Sequence, residues 1–231
     1  MTHVLDNPVW QSLHHAHRGL ARIDGRAAGY DPEVAQFVGI EGRSDEDWAD
    51  LRRLIGAKHV GLVLDRDVPN DLRIAAEIPC HQMIAETWEP RADDELIALG
   101  PDDVPDMLDL TSRTKPGPFE RRTIELGAYV GLRIDGRLVA MAGERMHPPG
   151  FTEISAVCTD PEFTGRGYAA RAMATVGAGI VARGEIPFLH VAHGNPAKTL
   201  YEKLGFTVRR DIVVRAVFVP PAERVGNSAL S

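Results

Sequence analysis

The segment TGRGYAA, residues 164–170, constrains the fold most strongly because it separates a strand-like stretch from a helical one. The preceding stretch, TEISAVCT, alternates as a strand does and predicts Ile154, Ala156 and Cys158 on one apolar face. A strand that runs into a glycine loop and a helix offers free backbone amides at the positive end of the helix dipole, which can hold a phosphate. The helix is expected to end near Gly184. Its predicted buried face consists of Ala169, Ala172, Met173, Val176 and Ile180.

Strand and helix patterns alternate on both sides of this segment, from residue 96 to residue 218. Two strand patterns meet at Asp135-Gly136, a dipeptide that favours the positive φ angles of a tight hairpin turn. A further helix is predicted between Asn195, which suits the N-cap, and Gly205, with a proline at the first helical position. The strand PFLHVAH precedes that helix, and the strand FTVRRDIVVRAVF follows it.

The first ninety residues have shorter patterns and no motif that indicates chemistry. Ser44 and Asp47 form a capping box that begins a predicted helix, and GLVL and RIAAEI are predicted strands. The polar stretch EPRADDE marks the predicted boundary. We therefore predict a smaller N-terminal α/β region over residues 1–92, a main domain over residues 93–218 and a C-terminal tail over residues 219–231.

Composition excludes several classes of protein. The chain has 231 residues, 44% of them hydrophobic and 26% charged, which is ordinary for a globular protein with a sizeable core. A net charge of −7 disfavours nucleic acid, because affinity for phosphates depends on basic residues. Two cysteines cannot form a disulfide framework, and neither a signal peptide nor a membrane-spanning run is visible. We expect a cytoplasmic monomer or homodimer without a membrane or nucleic-acid partner.

The glycine loop alone leaves several interpretations open. Its letters fit the dinucleotide fingerprint G-x-G-x-x-A, but that fingerprint requires an acidic residue at the end of the next strand. The next strand ends HVAHGNP, and Glu185 precedes the strand instead. A Walker loop is excluded because no Gly-Lys-Ser/Thr follows. The two interpretations that remain are a phosphate-binding loop and a purely structural turn.

Three ordered motifs resemble the GNAT superfamily of acyl-CoA-dependent N-acyltransferases, in its FR47-like and glycine-acyltransferase-like type. The motifs are VCTDPEFTGRGYA, PFLHVA and NPAKTLYEKLGF. The resemblance covers residues 94–218 and implies an α/β fold of the α+β kind, with a mixed, mostly antiparallel sheet flanked by helices. The first ninety residues match no full pattern, although the order of their elements resembles a partial copy of the same fold.

The resemblance implies acetyl-CoA as the acyl donor. The loop amides would hold its pyrophosphate, and the backbone of the preceding strand would pair with its pantetheine arm, which Asn195 also touches. Thr164 stands where the family usually has Gln or Arg, and Arg166 can supply the missing positive charge. The implied cofactor-binding residues are Val157, Cys158, Thr159, Gly165, Arg166, Gly167, Tyr168, Ala169, Ala170 and Asn195.

Aminolysis of a thioester needs a neutral amine, a stabilised oxyanion and a proton for the departing thiolate. By resemblance Tyr201 is the general acid, and its alternative role is that of a core aromatic. Glu153 and Glu144 are predicted as general bases that act through water, with ordinary solvated carboxylates as the alternative. His190 and His193 can titrate near neutral pH, although structural histidines are more common.

Two further groups of residues are predicted not to carry chemistry. Cys158 lies in the pantetheine strand without an evident base, so a small core residue is favoured over a covalent nucleophile. His14, His15 and His17 lack the spacing of a ligand set, and we predict no metal site.

The acceptor side is predicted to involve TKPGPFERR, residues 114–122, whose glycine and prolines break periodicity. Arg121 and Arg122 can recognise a carboxylate, as an amino-acid acceptor requires. The predicted reaction moves acetyl from acetyl-CoA to a primary amine by direct attack in a ternary complex. The acceptor is a small-molecule amine, an amino acid or a peptide amine. The alternative is a non-catalytic acyl-CoA-binding or sensor module.

Overall fold

The computed structural model describes residues 3–57 and 59–220, and the strands of this part form two sheets. In chain order the strands are β1 (Ala21–Asp24), β2 (Ala27–Tyr30), β3 (Val38–Ile40), β4 (Gly61–Leu64), β5 (Arg73–Ile84), β6 (Ile97–Ala98), β7 (Tyr129–Ile134), β8 (Arg137–Glu144), β9 (Phe151–Thr159), β10 (Ile186–Ala192) and β11 (Thr207–Phe218). The α-helices are α1 (Pro8–Leu13), α2 (Asp45–Ile55), α3 (Val104–Thr114), α4 (Tyr168–Ala182) and α5 (Ala197–Lys203).

The large sheet has the strand order β4-β11-β5-β10-β9-β8-β7-β6, and β1-β2-β3 form the small sheet. Neighbouring strands of the large sheet are antiparallel except for β9 and β10, which are parallel. The predicted α+β class, with a mixed and mostly antiparallel central sheet flanked by helices, is confirmed.

Strands from both parts of the chain build the large sheet. β4 and β5 come from the first ninety residues, and β5 lies between β10 and β11. Hydrogen bonding therefore continues across the predicted division at residue 92, which stays a prediction, as does the partial copy of the fold before it. Most of the predicted tail, residues 221–231, lies outside the described residues.

Helices cover the two faces of the sheet around β8 and β9. On one face, α4 buries Ala172, Met173, Val176 and Ile180 in the main core cluster, whereas Ala169, predicted on the same face, is only half-buried. On the other face, α3 buries Met107 and Leu110. None of the helices in the described ranges combines the length and the apolar composition that a bilayer span requires.

Three local predictions are confirmed. The Ser44 hydroxyl accepts a hydrogen bond from the Asp47 amide at 3.2 Å, and the Asp47 carboxylate accepts one from the Ser44 amide at 2.7 Å. The hairpin between β7 and β8 turns at Asp135 and Gly136, with φ angles of 51° and 80°. α4 ends just before Gly184, whose φ is 78°.

Two predictions about local geometry are wrong. Ile154, Ala156 and Cys158 do not share one face, because two residues of β9 stand opposite one residue of β8 where the register shifts. Ala156 has a φ of 52° at this bulge, so Ile154 packs with α4 while Ala156 and Cys158 pack with α3. α5 begins one residue later than predicted, with Pro196 at its N-cap.

Candidate active site

The parallel pairing of β9 and β10 ends early and leaves part of β9 open along one edge. The ladder joins Phe151–Glu153 to Ile186–Phe188 and goes no further. Beyond it, Cys158 and Thr159 still pair with β8 on the opposite edge. Because the bulge at Ala156 bends the strand, backbone groups of β9 face the gap between the two strands and can bind a ligand there.

Two cavities meet at this gap. One has a volume of about 320 Å³ and extends toward the glycine loop; we call it the donor cavity. The other has a volume of about 500 Å³ and extends toward the first ninety residues; we call it the acceptor cavity. Residues common to both walls are Val157, Cys158, Thr159, Ala197 and Tyr201. Groups bound in the two cavities would therefore meet beside Tyr201.

The donor cavity ends at the N-terminus of α4, where the backbone is arranged to bind an anion. Gly165 and Gly167 have φ angles of 77° and 78°, and no neighbouring atom lies within 4 Å of the position that a Cβ would take. Gly167 is the N-cap and provides no side-chain cap, while the first intrahelical bond runs from the Arg171 amide to the Gly167 carbonyl at 3.1 Å. The amides of Tyr168, Ala169 and Ala170 are thus available to a phosphate.

Farther along the donor cavity, a buried polar atom without a hydrogen-bond partner also indicates that a ligand binds there. Thr159 Oγ1 is buried and has no hydrogen-bond partner among the described residues, yet it belongs to a residue that lines both cavities. A buried hydroxyl without a partner costs free energy. An amide-containing chain such as pantetheine would supply the missing partner, so the residues present fit coenzyme A.

Two of the residues predicted to bind the cofactor lie outside the wall of the donor cavity. Arg166 does not line the donor cavity, because its guanidinium lies over the Phe163 ring, 5.0 Å from the centroid. Asn195 lines the acceptor cavity, and its side-chain oxygen accepts a hydrogen bond from the Ala197 amide at 2.9 Å. Thr164 lines the donor cavity, with its hydroxyl bonded to the Pro161 carbonyl at 3.0 Å.

The wall of the acceptor cavity combines residues 114–118, which belong to the segment predicted on the acceptor side, with apolar residues to which the sequence assigned no chemistry. Apolar side chains of the first ninety residues meet the segment 114–118 across the cavity. The apolar wall contains Phe37, Leu62, Leu64, Ile78, Cys80 and Val214. No sequence signal reveals this wall, because it forms only when β5 enters the sheet between β10 and β11.

Tyr201 lies at the junction of the two cavities, as its predicted role requires. Its side chain projects from α5, and the residue is 8% exposed. Burial raises the pKa of its hydroxyl to about 12, so the hydroxyl keeps its proton at neutral pH. It can therefore donate a proton but cannot act as a base.

Glu153 is fully buried and lies behind the acceptor cavity rather than in its wall. Arg145 bonds both of its oxygens, at 2.8 and 2.5 Å, and His190 bonds one of them at 2.7 Å. Burial by itself would raise the pKa of Glu153, but the Arg145 guanidinium and His190 outweigh burial and lower the pKa to about 2. A carboxylate of such low pKa is a poor base toward an amine.

Glu144, the other predicted base, lines neither cavity. Its carboxylate accepts hydrogen bonds from Arg183 at 2.8 Å and from the Ala128 amide at 3.2 Å, with His147 Nε2 at 3.4 Å. The residue is 3% exposed, so these partners, rather than water, compensate the charge of its buried carboxylate.

His190 lines the acceptor cavity. Through Gln82 it connects Glu153 to the Leu5 carbonyl and the Arg209 guanidinium. Gln82 fixes the tautomer, because its oxygen accepts from Arg209 at 2.6 Å while its nitrogen donates to the Leu5 carbonyl at 2.9 Å. The same nitrogen lies 3.1 Å from His190 Nε2, which must accept. Nδ1 therefore carries the proton and donates to Glu153.

Several other predicted residues lie away from the junction. His193 lines neither cavity, and neither do Arg121 and Arg122. Lys115 and Arg145 are instead the basic residues of the acceptor wall. Cys158 lines both cavities, but burial raises the pKa of its thiol to about 11, so it stays protonated and is a poor nucleophile.

The mixed sheet thus opens between two parallel strands, beside a glycine loop and a helix N-terminus without a side-chain cap. The model of the FR47-like protein family matches residues 129–215. A crystal structure from Novosphingobium aromaticivorans, assigned to the GNAT family of acetyltransferases, is 39% identical with a TM-score of 0.88, covering 95% of this chain and 100% of that one. The chain belongs to the GNAT family of acetyltransferases, whose members use acetyl-CoA.

More distant structures share the fold. A GCN5-related N-acetyltransferase from Kribbella flavida is 15% identical with a TM-score of 0.61, covering 90% of this chain and 95% of that one. A GCN5-related N-acetyltransferase-like protein from Streptococcus suis is 15% identical with a TM-score of 0.57, covering 91% and 92%. No curated protein matches the sequence.

Proposed function

We propose that this acetyltransferase moves acetyl from acetyl-CoA to a primary amine by direct attack in a ternary complex. The observation that carries the proposal is the junction of the donor and acceptor cavities at Tyr201 and the open edge of β9. A donor and an acceptor can occupy the two cavities at the same time, so no covalent enzyme intermediate is required. The protonated thiol of Cys158 agrees with this route.

The chain would hold the donor with its backbone. The amides of residues 165–170 would bind the pyrophosphate, and the open edge at Val157–Thr159 would bind the pantetheine arm. When bound, acetyl-CoA supplies an acetyl group activated as a thioester. Tyr201 would give its proton to the departing sulfur, because its hydroxyl is protonated at neutral pH and the residue lines both cavities.

For the amine proton we propose His190 as the acceptor, with Glu153 behind it as the group that orients and stabilises it, in place of Glu144. His190 faces the acceptor cavity, and Glu153 lies directly behind it at 2.7 Å. A proton that reached Nε2 would produce an imidazolium stabilised by the Glu153 carboxylate. Gln82 would then have to turn its amide nitrogen away from Nε2, since both atoms would carry hydrogen.

The acceptor cavity favours an amine that also bears a carboxylate and an apolar body. Its wall is mostly apolar, and its charged side chains within the described residues are Lys115 and Arg145. Arg145 is already paired with Glu153, so Lys115 carries the net charge of the wall. Because no carboxylate in the wall could receive a second ammonium group, a polyamine would be repelled. We therefore propose an apolar amino acid or a related amine as acceptor.

Release of free coenzyme A thiol from acetyl-CoA, measured with matched amines, tests this proposal. Phenylalanine should support faster release than phenethylamine, which lacks the carboxylate, and spermidine should support the slowest. Lys115→Gln should raise the KM for phenylalanine and leave that for phenethylamine unchanged. Preference for spermidine would refute the acceptor class. Absence of thiol release with every amine, together with a stabilising effect of acetyl-CoA, would support the binding module instead.

Binding of the donor can be tested without turnover. A ligand that binds only the folded state stabilises it by about 2.7 kcal/mol at a hundredfold excess over its dissociation constant. Acetyl-CoA should therefore raise the melting temperature, whereas NAD should not. Equal shifts with both ligands would contradict the assignment of the glycine loop to coenzyme A.

A further inference from the structure

An exposed part of the large sheet brings three potential metal ligands together from three adjacent strands. His81 lies on β5, Asp211 lies opposite it on β11, and His193 follows directly after β10. Val191 of β10 pairs with His81, so His193, two residues later, points to the same face. The His193 amide donates to the Pro79 carbonyl at 2.8 Å, which fixes its backbone beside β5.

The three side chains already contact one another. His81 Nδ1 lies 2.5 Å and His193 Nε2 lies 3.3 Å from the same oxygen, Asp211 Oδ1. One potential ligand atom from each residue lies within 4.8 Å of the others, and the two imidazole rings are stacked with centroids 4.1 Å apart. The cluster therefore brings three potential ligand atoms together, whereas an isolated ion pair brings only two.

We propose that His81, His193 and Asp211 form a binding site for a divalent transition-metal ion, with Zn²⁺ the best match. Imidazole nitrogen and carboxylate oxygen are both common zinc ligands, and three protein ligands leave a fourth position for water. The ion would replace the hydrogens that the two imidazoles now share with Asp211. Its binding therefore depends on neutral histidines and an ionised carboxylate.

The surrounding charges favour a cation at this place. Among the described residues, Asp211 has the two histidines as its only ionic partners, and no Arg or Lys neutralises it. The neighbouring Arg209 and Arg210 are directed elsewhere, since both pair with Asp6.

The site needs only side-chain movement to reach coordination distances. Asp211 and His193 have side chains that are 63% and 43% exposed, so solvent leaves both room to rotate, whereas His81 is 21% exposed and holds the site to the sheet. Rotation of His193 would turn the stacked ring so that its Nε2 points at the ion. Side-chain rotations of this kind occur on the picosecond-to-nanosecond timescale.

A metal here would join β5 and β11 to the C-terminal end of β10, beside the loop that leads into α5. His193 lies two residues before Asn195, which lines the acceptor cavity. The cluster itself lines neither cavity, so the metal would support the loop and would not enter the reaction.

Titration of the metal-free, full-length protein with Co²⁺ and Zn²⁺ tests the site without any assay of activity. Co²⁺ should bind with about one ion per chain and give the visible absorption of a site with nitrogen and oxygen ligands, and Zn²⁺ should displace it. Zn²⁺ should also raise the melting temperature. Asp211→Asn and His193→Ala, both at exposed positions, should each weaken Zn²⁺ binding at least tenfold in isothermal titration calorimetry.

His15→Ala is the matched control, because His15 is an exposed histidine outside the cluster, in the His14, His15 and His17 group. This variant should bind Zn²⁺ like the wild type. Retention of wild-type affinity in Asp211→Asn and His193→Ala, or loss of binding in His15→Ala, would overturn the proposal. Absence of Co²⁺ and Zn²⁺ binding by the wild type would do the same.

Discussion

His190 Nδ1 donates a 2.7 Å hydrogen bond to Glu153 Oε1 at the point where the β9–β10 ladder ends. Glu153 and Phe188 form the last pair of that ladder, and His190 lies two residues farther along β10. The two parallel strands are thus joined by backbone hydrogen bonds up to this point and by a side-chain hydrogen bond beyond it. The carboxylate consequently lies behind the acceptor cavity, at the point where the two strands separate.

Tyr201→Phe should separate the packing role of this residue from its catalytic one. Phenylalanine keeps the ring but removes the proton donor, so kcat should fall while the affinity for acetyl-CoA stays nearly unchanged. A positioned acid contributes about 10²–10⁴ in rate, and a thiolate is a good leaving group, so the lower end is expected. Single-turnover measurements report the chemical step directly, so slow product release cannot hide the effect of the substitution. Tyr168→Phe, in the donor wall, is the control, and wild-type rates for Tyr201→Phe would make Tyr201 a core aromatic only.

Gly167→Val should raise the KM for acetyl-CoA, because a branched side chain would fill the approach to the amides and disfavour the φ of 78°. Gly184→Val is a matched control at the other end of α4, since Gly184 has the same φ and an equally open Cβ position. Both variants carry similar backbone strain, but only Gly167 lines the donor cavity. Equal KM values for the two folded variants would show that the loop is a structural turn.

Glu153→Gln should make the free energy of unfolding less dependent on pH in the acid range. The folded-state pKa of about 2 lies below the ordinary value, so the carboxylate stabilises the fold above the unfolded pKa, and this contribution is lost as pH falls toward 2. At pH 7 the variant leaves Arg145 buried without its partner, which costs about 3–5 kcal/mol. Urea denaturation from pH 7 to pH 3 should show the difference from wild type shrinking below about pH 4.3.

Glu202→Gln provides the control for that experiment, because Glu202 forms an exposed pair with Lys198. Exposed pairs contribute about 0–1 kcal/mol, so this variant should follow the wild type at every pH. A constant difference between Glu153→Gln and wild type across the range would contradict the lowered pKa.

The two thiols should be resistant to alkylation and should respond differently to the donor. Burial raises the pKa of both Cys80 and Cys158 to about 11, so iodoacetamide should react slowly with the native protein at pH 8 and faster as pH approaches 10. Acetyl-CoA should further protect Cys158, which lines both cavities, more than Cys80, which lines only the acceptor cavity. Mass spectrometry of the labelled peptides measures both rates, and equal protection would argue against a donor along β9.

The sequence predicted the parts of the site that depend on neighbouring residues. TGRGYAA was expected to form a loop with free amides before a helix, and the structure has that arrangement. The roles of Tyr201 and of the loop stay predictions, although Tyr201 and most of the loop residues line the donor cavity. Glu144 showed the limit of this reasoning, because a carboxylate on a suitable strand gave no sign that Arg183 would bind it outside the cavities.

The sequence by itself determined the elements whose causes lie within a few residues, such as the Ser44 capping box, the Asp135-Gly136 turn and most of the buried face of α4. Only the tertiary structure decided the bulge at Ala156, the insertion of β5 and the pairing of His81 with Asp211, which lie 130 positions apart. The physical reason is that capping and turn formation depend on local backbone geometry. Strand order and register depend instead on which distant surfaces bury each other, and a shift of one residue turns every following side chain to the opposite face.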